Sequence, residues 1–135
     1  MASPRKAIIS SGLGQFAAND QNAMAHFGPD AAARVKAMLA SSIEQANQAG
    51  FDVIAVDANP QNPEDTMKRF TKTLENREVV GVNIGFGLRG HKEHTELFEK
   101  MLNAAVAIRP GIKIMFSNGP GEVITAIRRN FPEDF

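Results

Sequence analysis

Short runs rich in β-branched and other apolar residues alternate along this chain with longer runs whose apolar positions recur every three or four residues. Residues 6–10, Lys-Ala-Ile-Ile-Ser, form an apolar run that ends in Ser11-Gly12-Leu13-Gly14, a strand followed by a glycine turn. Residues 15–29 show no clear period and hold Asn19-Asp20, Gln21-Asn22 and Gly28-Pro29, so they read as a long loop with room for one helical turn. A helix is predicted to start near Pro29-Asp30, with an acid at the positive end of its dipole. Its apolar stripe runs through Val35, Met38, Leu39 and Ile43 to a stop at Gly50.

The pattern then repeats. Residues 52–57, Asp-Val-Ile-Ala-Val-Asp, make a second strand closed by Asn59-Pro60. Asn62-Pro63-Glu64-Asp65 opens a helix with proline in the permitted first turn and a stripe of Met67, Phe70 and Leu74. Residues 79–85 are almost continuously apolar, as a strand covered on both faces must be. A third helix is expected over 91–108, with Leu97, Phe98, Met101 and Ala105 on one face. Arg109-Pro110-Gly111 stops it, residues 112–116 form a fourth strand, and 122–130 form a last helix.

Repeated β-α units imply parallel neighbours joined by right-handed crossovers. The expected fold is a single three-layer α/β domain over residues 1–135, flavodoxin-like or Rossmann-like, with a four-stranded parallel sheet ordered 2-1-3-4. Chain direction reverses between strands one and three, and ligands of open α/β sheets sit at the carboxyl ends of the strands at such a point. The loops gathered there would be 10–16 and 85–94, flanked by 57–62 and 117–122.

Composition narrows the function. The chain has 15 Lys plus Arg and 15 Asp plus Glu, so its formal net charge is zero, which gives no electrostatic footprint for nucleic acid or anionic lipid. The same neutrality weakens the repulsion that opposes self-association. There is no cysteine, which removes disulfides, thiolate nucleophiles and Cys-ligated metals from consideration. The first apolar run is interrupted too soon, by Ser10, Ser11 and Gly12, for a signal peptide, and no run reaches the ~20 apolar residues of a membrane span. A cytoplasmic setting without membrane attachment is expected.

The densest chemistry lies in Gly85-Phe86-Gly87-Leu88-Arg89-Gly90-His91-Lys92-Glu93-His94. Gly85 and Gly87 permit close backbone approach to a ligand, and Arg89 offers a planar fork for a carboxylate or developing oxyanion. His91 and His94, three apart on a predicted helix, would share a face and transfer protons near neutral pH. The plain alternative is a tight strand-to-helix turn with solvated charges, and for His94, at the head of the apolar stripe, a buried structural histidine.

Gly12-Leu13-Gly14-Gln15-Phe16-Ala17 fits the dinucleotide pattern G-x-G-x-x-A. The helix that should begin inside it is missing from the prediction, and the acid at the end of strand two is Asp57, so a nicotinamide cofactor is not expected; a small anion or organic substrate is. Ser11, Gly12, Gly14 and Asp57 are therefore candidate substrate contacts, although a helix cap is the commoner role for Asp57. Strand two also looks like a phosphoacceptor strand, but the first strand lacks its acidic pair and the last lacks its lysine. Ser117-Asn118-Gly119-Pro120-Gly121 makes another turn into a helix, with Asn118 placed to orient a ligand or simply to cap. His91 and His94 lack a third ligand for a metal.

The segments Ile84-Gly85-Phe86-Gly87-Leu88-Arg89, Leu97-Phe98-Glu99, Arg109-Pro110-Gly111 and Phe116-Ser117-Asn118 resemble a group of small microbial α/β proteins of flavodoxin-like or Rossmann-like build. The resemblance spans roughly residues 79–130. It implies the same fold and draws attention to Arg89, Glu99 and Asn118, without naming a reaction.

The resulting expectation is a small cofactor-independent enzyme of isomerase, lyase or cyclase type, acting by acid–base chemistry on a carbonyl- or carboxylate-bearing small molecule, so that the ligand is expected to be anionic or carbonyl-bearing. Arg89 and loop amides would hold the developing anion while His91 or His94 moves the proton. The rival is a non-catalytic module that binds a small molecule or protein with the same loops. A homodimer or larger oligomer is expected from the open sheet edges and from Phe27, Phe131 and Phe135, which fall outside the predicted core.

Overall fold

A computed structural model describes residues 4–135, leaving Met1-Ala2-Ser3 of the opening segment outside the described residues. Four strands, β1 (Lys6–Ser11), β2 (Phe51–Ala55), β3 (Val79–Gly85) and β4 (Lys113–Ser117), make one sheet in the order β2-β1-β3-β4. Every neighbouring pair is parallel. β1 and β3 are central and nearly wholly buried, whereas the edge strands β2 and β4 are half-exposed. That difference explains the continuous apolar run of β3.

The helices are α1 (Gln21–Phe27), α2 (Ala31–Gln48), α3 (Pro63–Asn76), α4 (Phe86–Arg89), α5 (Thr95–Ile108) and α6 (Val123–Asn130). α2 packs on α6 and α3 packs on α5. Side-chain alternation along β1 sends Ile8 into the α2–α6 layer, against Phe51, Met115 and Ile127, and Ile9 into the α3–α5 layer, against Phe70, Leu74 and Met101. None of the described helices is long and apolar enough to cross a membrane.

Two segments depart from the sequence reading. Residues 15–29 are not a loop: a 3-10 turn (Gly14–Asn19) leads into α1, which Asp20 caps by accepting a hydrogen bond from the Ala23 amide at 2.9 Å. The apolar period was invisible because the only apolar residues this segment buries are alanines, Ala17 and Ala23. The expected helix over 91–108 begins at Thr95. Before it, α4 and a 3-10 turn (Lys92–His94) intervene, with His91 in extended backbone at φ −129° and ψ 128°. His91 and His94 therefore do not share a helical face.

Phe27 and Phe131 are taken up by their own domain, and Phe135 only in part. Phe131 is only 4% exposed and lies 5.4 Å from the Phe51 ring, while Phe135 stacks on the same ring at 6.0 Å. Phe27 packs half-buried against the core. Phe27 and Phe131 thus have partners within the domain, whereas Phe135 stays 50% exposed.

Candidate functional site

At the carboxyl ends of the strands lies a cavity of about 690 Å³. Its floor comes from β1, β3 and β4. The register pairs Ser10 with Asn83 and Gly85 with Ser117, so Ser10, Asn83 and Ser117 point to the α2–α6 side of the sheet. The Asn83 amide donates to Ser10 Oγ at 3.4 Å and to Ser117 Oγ at 3.1 Å. All three side chains are buried, and Asn83 Oδ1 has no hydrogen-bond partner. The sides are mostly apolar: Val35, Met38 and Leu39 of α2, Ala23 and Phe27 of α1, and Phe86.

Of the expected substrate contacts, Ser11, Gly12, Gly14 and Asp57 line the cavity from one side, and Gly85, Gly87 and Asn118 from the other. His91 lines it as well, its ring edge-on to Phe86 at 6.0 Å and to His94 at 6.4 Å. The loops that sequence reasoning assembled thus converge on one space.

Arg89 and His94 do not line it, for a physical reason in each case. Arg89 Nη2 donates to Asn118 Oδ1 at 2.6 Å, and its guanidinium sits between the Phe86 and Phe116 rings at 5.1 and 5.3 Å. It clamps the loop after β3 to the loop after β4 and holds Asn118 in the wall. His94 is 6% exposed and its Nε2 lies 3.1 Å from Asp20 Oδ1, itself on a side chain 9% exposed. It is the buried structural histidine that its place in the apolar stripe permitted. Glu99, raised by the resemblance, is exposed on α5.

The Gly12–Gly14 turn is already occupied by a carboxylate. Asp57 Oδ2 accepts from the Gln15 amide at 3.2 Å, and a Cβ on Gly14 would meet Asp57 Oδ1 at 2.2 Å. With φ at +50°, Gly14 is required both for its conformation and for that approach. An anionic ligand would meet Asp57 here, so the structure does not support an anion on this turn. Asp57 and Glu122 line the cavity, with His26 and His91 as the other ionisable groups and no Lys or Arg among the described lining residues.

Next to the cavity, Glu93 is held below the ordinary glutamate range, first by its own backbone amide and then by the Asn22 side chain. Asn22 and Asp20 thus both tie the start of α1 to the Lys92–His94 turn. Sequence reasoning missed the Ser10–Asn83–Ser117 row. Its signal was present: Asn83 is the one polar side chain in the strand 79–85.

No protein-family model matches this chain, and none of the curated proteins or solved structures matches it.

Proposed function

We propose that this protein binds a small, neutral, mostly apolar organic molecule at the carboxyl ends of its strands. One observation carries the reading: a cavity of about 690 Å³ has apolar sides and a buried polar row, Ser10–Asn83–Ser117, at its floor. Ligand pockets of roughly 300–1,000 Å³ combine apolar walls with a few fixed polar groups in this way. Asp57 and Glu122 in the wall turn the expected anionic ligand into a neutral, carbonyl- or hydroxyl-bearing one. The test is a thermal-shift and NMR screen of neutral bicyclic compounds against their carboxylate analogues. Shifts at the loops around Gly12, Gly85 and Asn118 with the neutral set support the reading. Exclusive response to the carboxylates refutes it.

His91 favours a catalytic version. Of the expected trio His91, His94 and Arg89 it alone lines the cavity, with His26 as the other histidine of the wall, and acid–base chemistry of isomerase or lyase type would rest on it. A bound cyclic ketone should then exchange its α-hydrogens with deuterated water faster than in free solution, and His91→Ala should abolish the acceleration. Unchanged exchange in that variant removes catalysis by His91. Self-association through the open β2 and β4 edges belongs to the same proposal. Light scattering that stays at the monomer mass of 14.6 kDa across a dilution series counts against it.

A further inference from the structure

Given the reading of the cavity as a ligand site, the backbone around it says what shape of ligand it takes. The central strands end side by side, β1 running into Gly12 and β3 closing at Gly85, so that a Cβ on Gly85 would lie 3.5 Å from Gly12 Cα. The ladder toward β2 continues through Gly12: the Val56 and Ala58 amides donate to the Ser10 and Gly12 carbonyls at 3.1 and 2.8 Å. Side-chain alternation therefore puts Gly12 on the face of Ser10 and Gly85 on the face of Asn83, toward α2 and α6. Both glycines are half-buried and line the cavity.

The fold requires a glycine at neither position. Positive φ is confined to Gly14, Gly28, Gly50 and Gly111. Gly81 and Gly90 are crowded, since a Cβ there would meet Met115 at 2.7 Å or Phe86 at 2.5 Å. A Cβ on Gly85 would make only ordinary contacts, at 3.5 and 3.6 Å, and one on Gly12 would meet nothing within 4 Å. Among the glycines Gly12 alone joins an ordinary φ to empty space. Glycine is costly in ordered backbone, because it loses more freedom on folding than any other residue. An alanine at either position would stabilise the chain and take up room in the cavity.

We infer that the Gly12–Gly85 pair is the seat of the ligand, and that the part seated there is a flat ring system. Two neighbouring strand ends about 5 Å apart, both without Cβ atoms, present bare peptide faces. A planar group covers both at van der Waals distance, whereas a puckered one of equal size touches few of their atoms. Phe27 and Phe86 in the walls add aromatic surface for the same ring.

The test uses naphthol and decahydronaphthol on the full chain, two neutral probes that share a carbon skeleton and a hydroxyl, one flat and one puckered. Amide-resolved NMR titration gives affinities and places each probe. Naphthol should bind at least about tenfold more tightly than decahydronaphthol. Gly12→Ala and Gly85→Ala should each weaken naphthol about tenfold, while their urea midpoints stay level or rise. Binding and stability then move apart, which a merely structural glycine does not allow. If naphthol binds but decahydronaphthol matches it, or either alanine variant holds naphthol as tightly as wild type or lowers the midpoint, the seat is refuted while the cavity reading stands. If neither compound perturbs the cavity residues, the cavity reading falls and takes this inference with it.

Discussion

Replacing His94 with alanine is the sharpest perturbation of the wall around the cavity. Asp20 is 9% exposed and has two partners: His94 Nε2 at 3.1 Å and, through its other oxygen, the Ala23 amide at 2.9 Å. Removing the imidazole leaves a buried carboxylate with the cap alone. Breaking a buried pair from one side costs about 3–5 kcal/mol when the structure holds still. It need not hold still here. α1 buries only Ala23, with Phe27 half-buried beside it, so lifting the helix away costs roughly 2–3 kcal/mol of apolar burial. The cheaper route wins, and the damage surfaces as local opening of α1 rather than as global unfolding. Native-state hydrogen exchange reads this directly. Amides of residues 21–27 should exchange roughly 30- to 100-fold faster in His94→Ala, while those of β1 and β3 change far less. Asp20→Asn keeps an oxygen for the cap and a hydrogen-bonding group toward His94, so its effect should stay below about 1 kcal/mol. Two results would sink this reasoning: α1 protection within twofold of wild type in His94→Ala, or Asp20→Asn as damaging as the histidine deletion.

Gly14 and Asp57 should be strongly coupled: Gly14→Ala displaces the Asp57 carboxylate, so Asp57→Ala costs about 1–2 kcal/mol alone but almost nothing in the Gly14→Ala background, and an additive cycle in urea unfolding refutes the contact. Phe131→Ala should lower stability by about 3–5 kcal/mol, whereas Phe135→Ala, half-exposed, should stay within about 1 kcal/mol; equal midpoints in urea would contradict the packing on Phe51. Glu93 should titrate below the ordinary glutamate range and move upward in Asn22→Ala, because the Asn22 amide favours the charged form. Its contribution is then present above the unfolded pKa and lost as pH falls through the folded one; a carboxyl NMR titration unmoved by the substitution contradicts the hydrogen bond.

The sheet was legible because its signals are collective. Burial on both faces of β3 demands an unbroken apolar run over residues 79–85, and the strand found is Val79–Gly85. Strand order followed from handedness and short connections rather than from any one residue. What escaped was local and small. α1 and the turn before it bury alanines, so no periodic stripe marks them, and their stability comes from the Asp20 cap and from contact with α2. The break before Thr95 escaped for a related reason: Lys92, Glu93 and His94 continue a helical composition, but the extended backbone of His91 and the 3-10 turn after it interrupt the helix.

The site divides along the same line. Glycines and strand ends reach the cavity because backbone geometry puts them there whatever their side chains do: Gly12, Gly14, Gly85 and Gly87 all line it. Charged side chains were read less well, because a long side chain is free to satisfy itself elsewhere. Arg89 reaches sideways to Asn118 between two phenyl rings, and His94 turns inward to Asp20. Asp57 does the opposite of what a ligand contact on the glycine turn would do. Its carboxylate accepts from the Gln15 amide, so the turn that resembles a dinucleotide fingerprint closes around a negative charge of its own. A fingerprint of that form binds phosphate only when its amides are free and a helix dipole stands behind them. Here Asp57 has the amide and a six-residue 3-10 turn replaces the helix. Under the proposed reading, the polar part of the site is the neutral Ser10–Asn83–Ser117 row, which left only Asn83, a polar residue in an apolar strand, as its trace in the sequence.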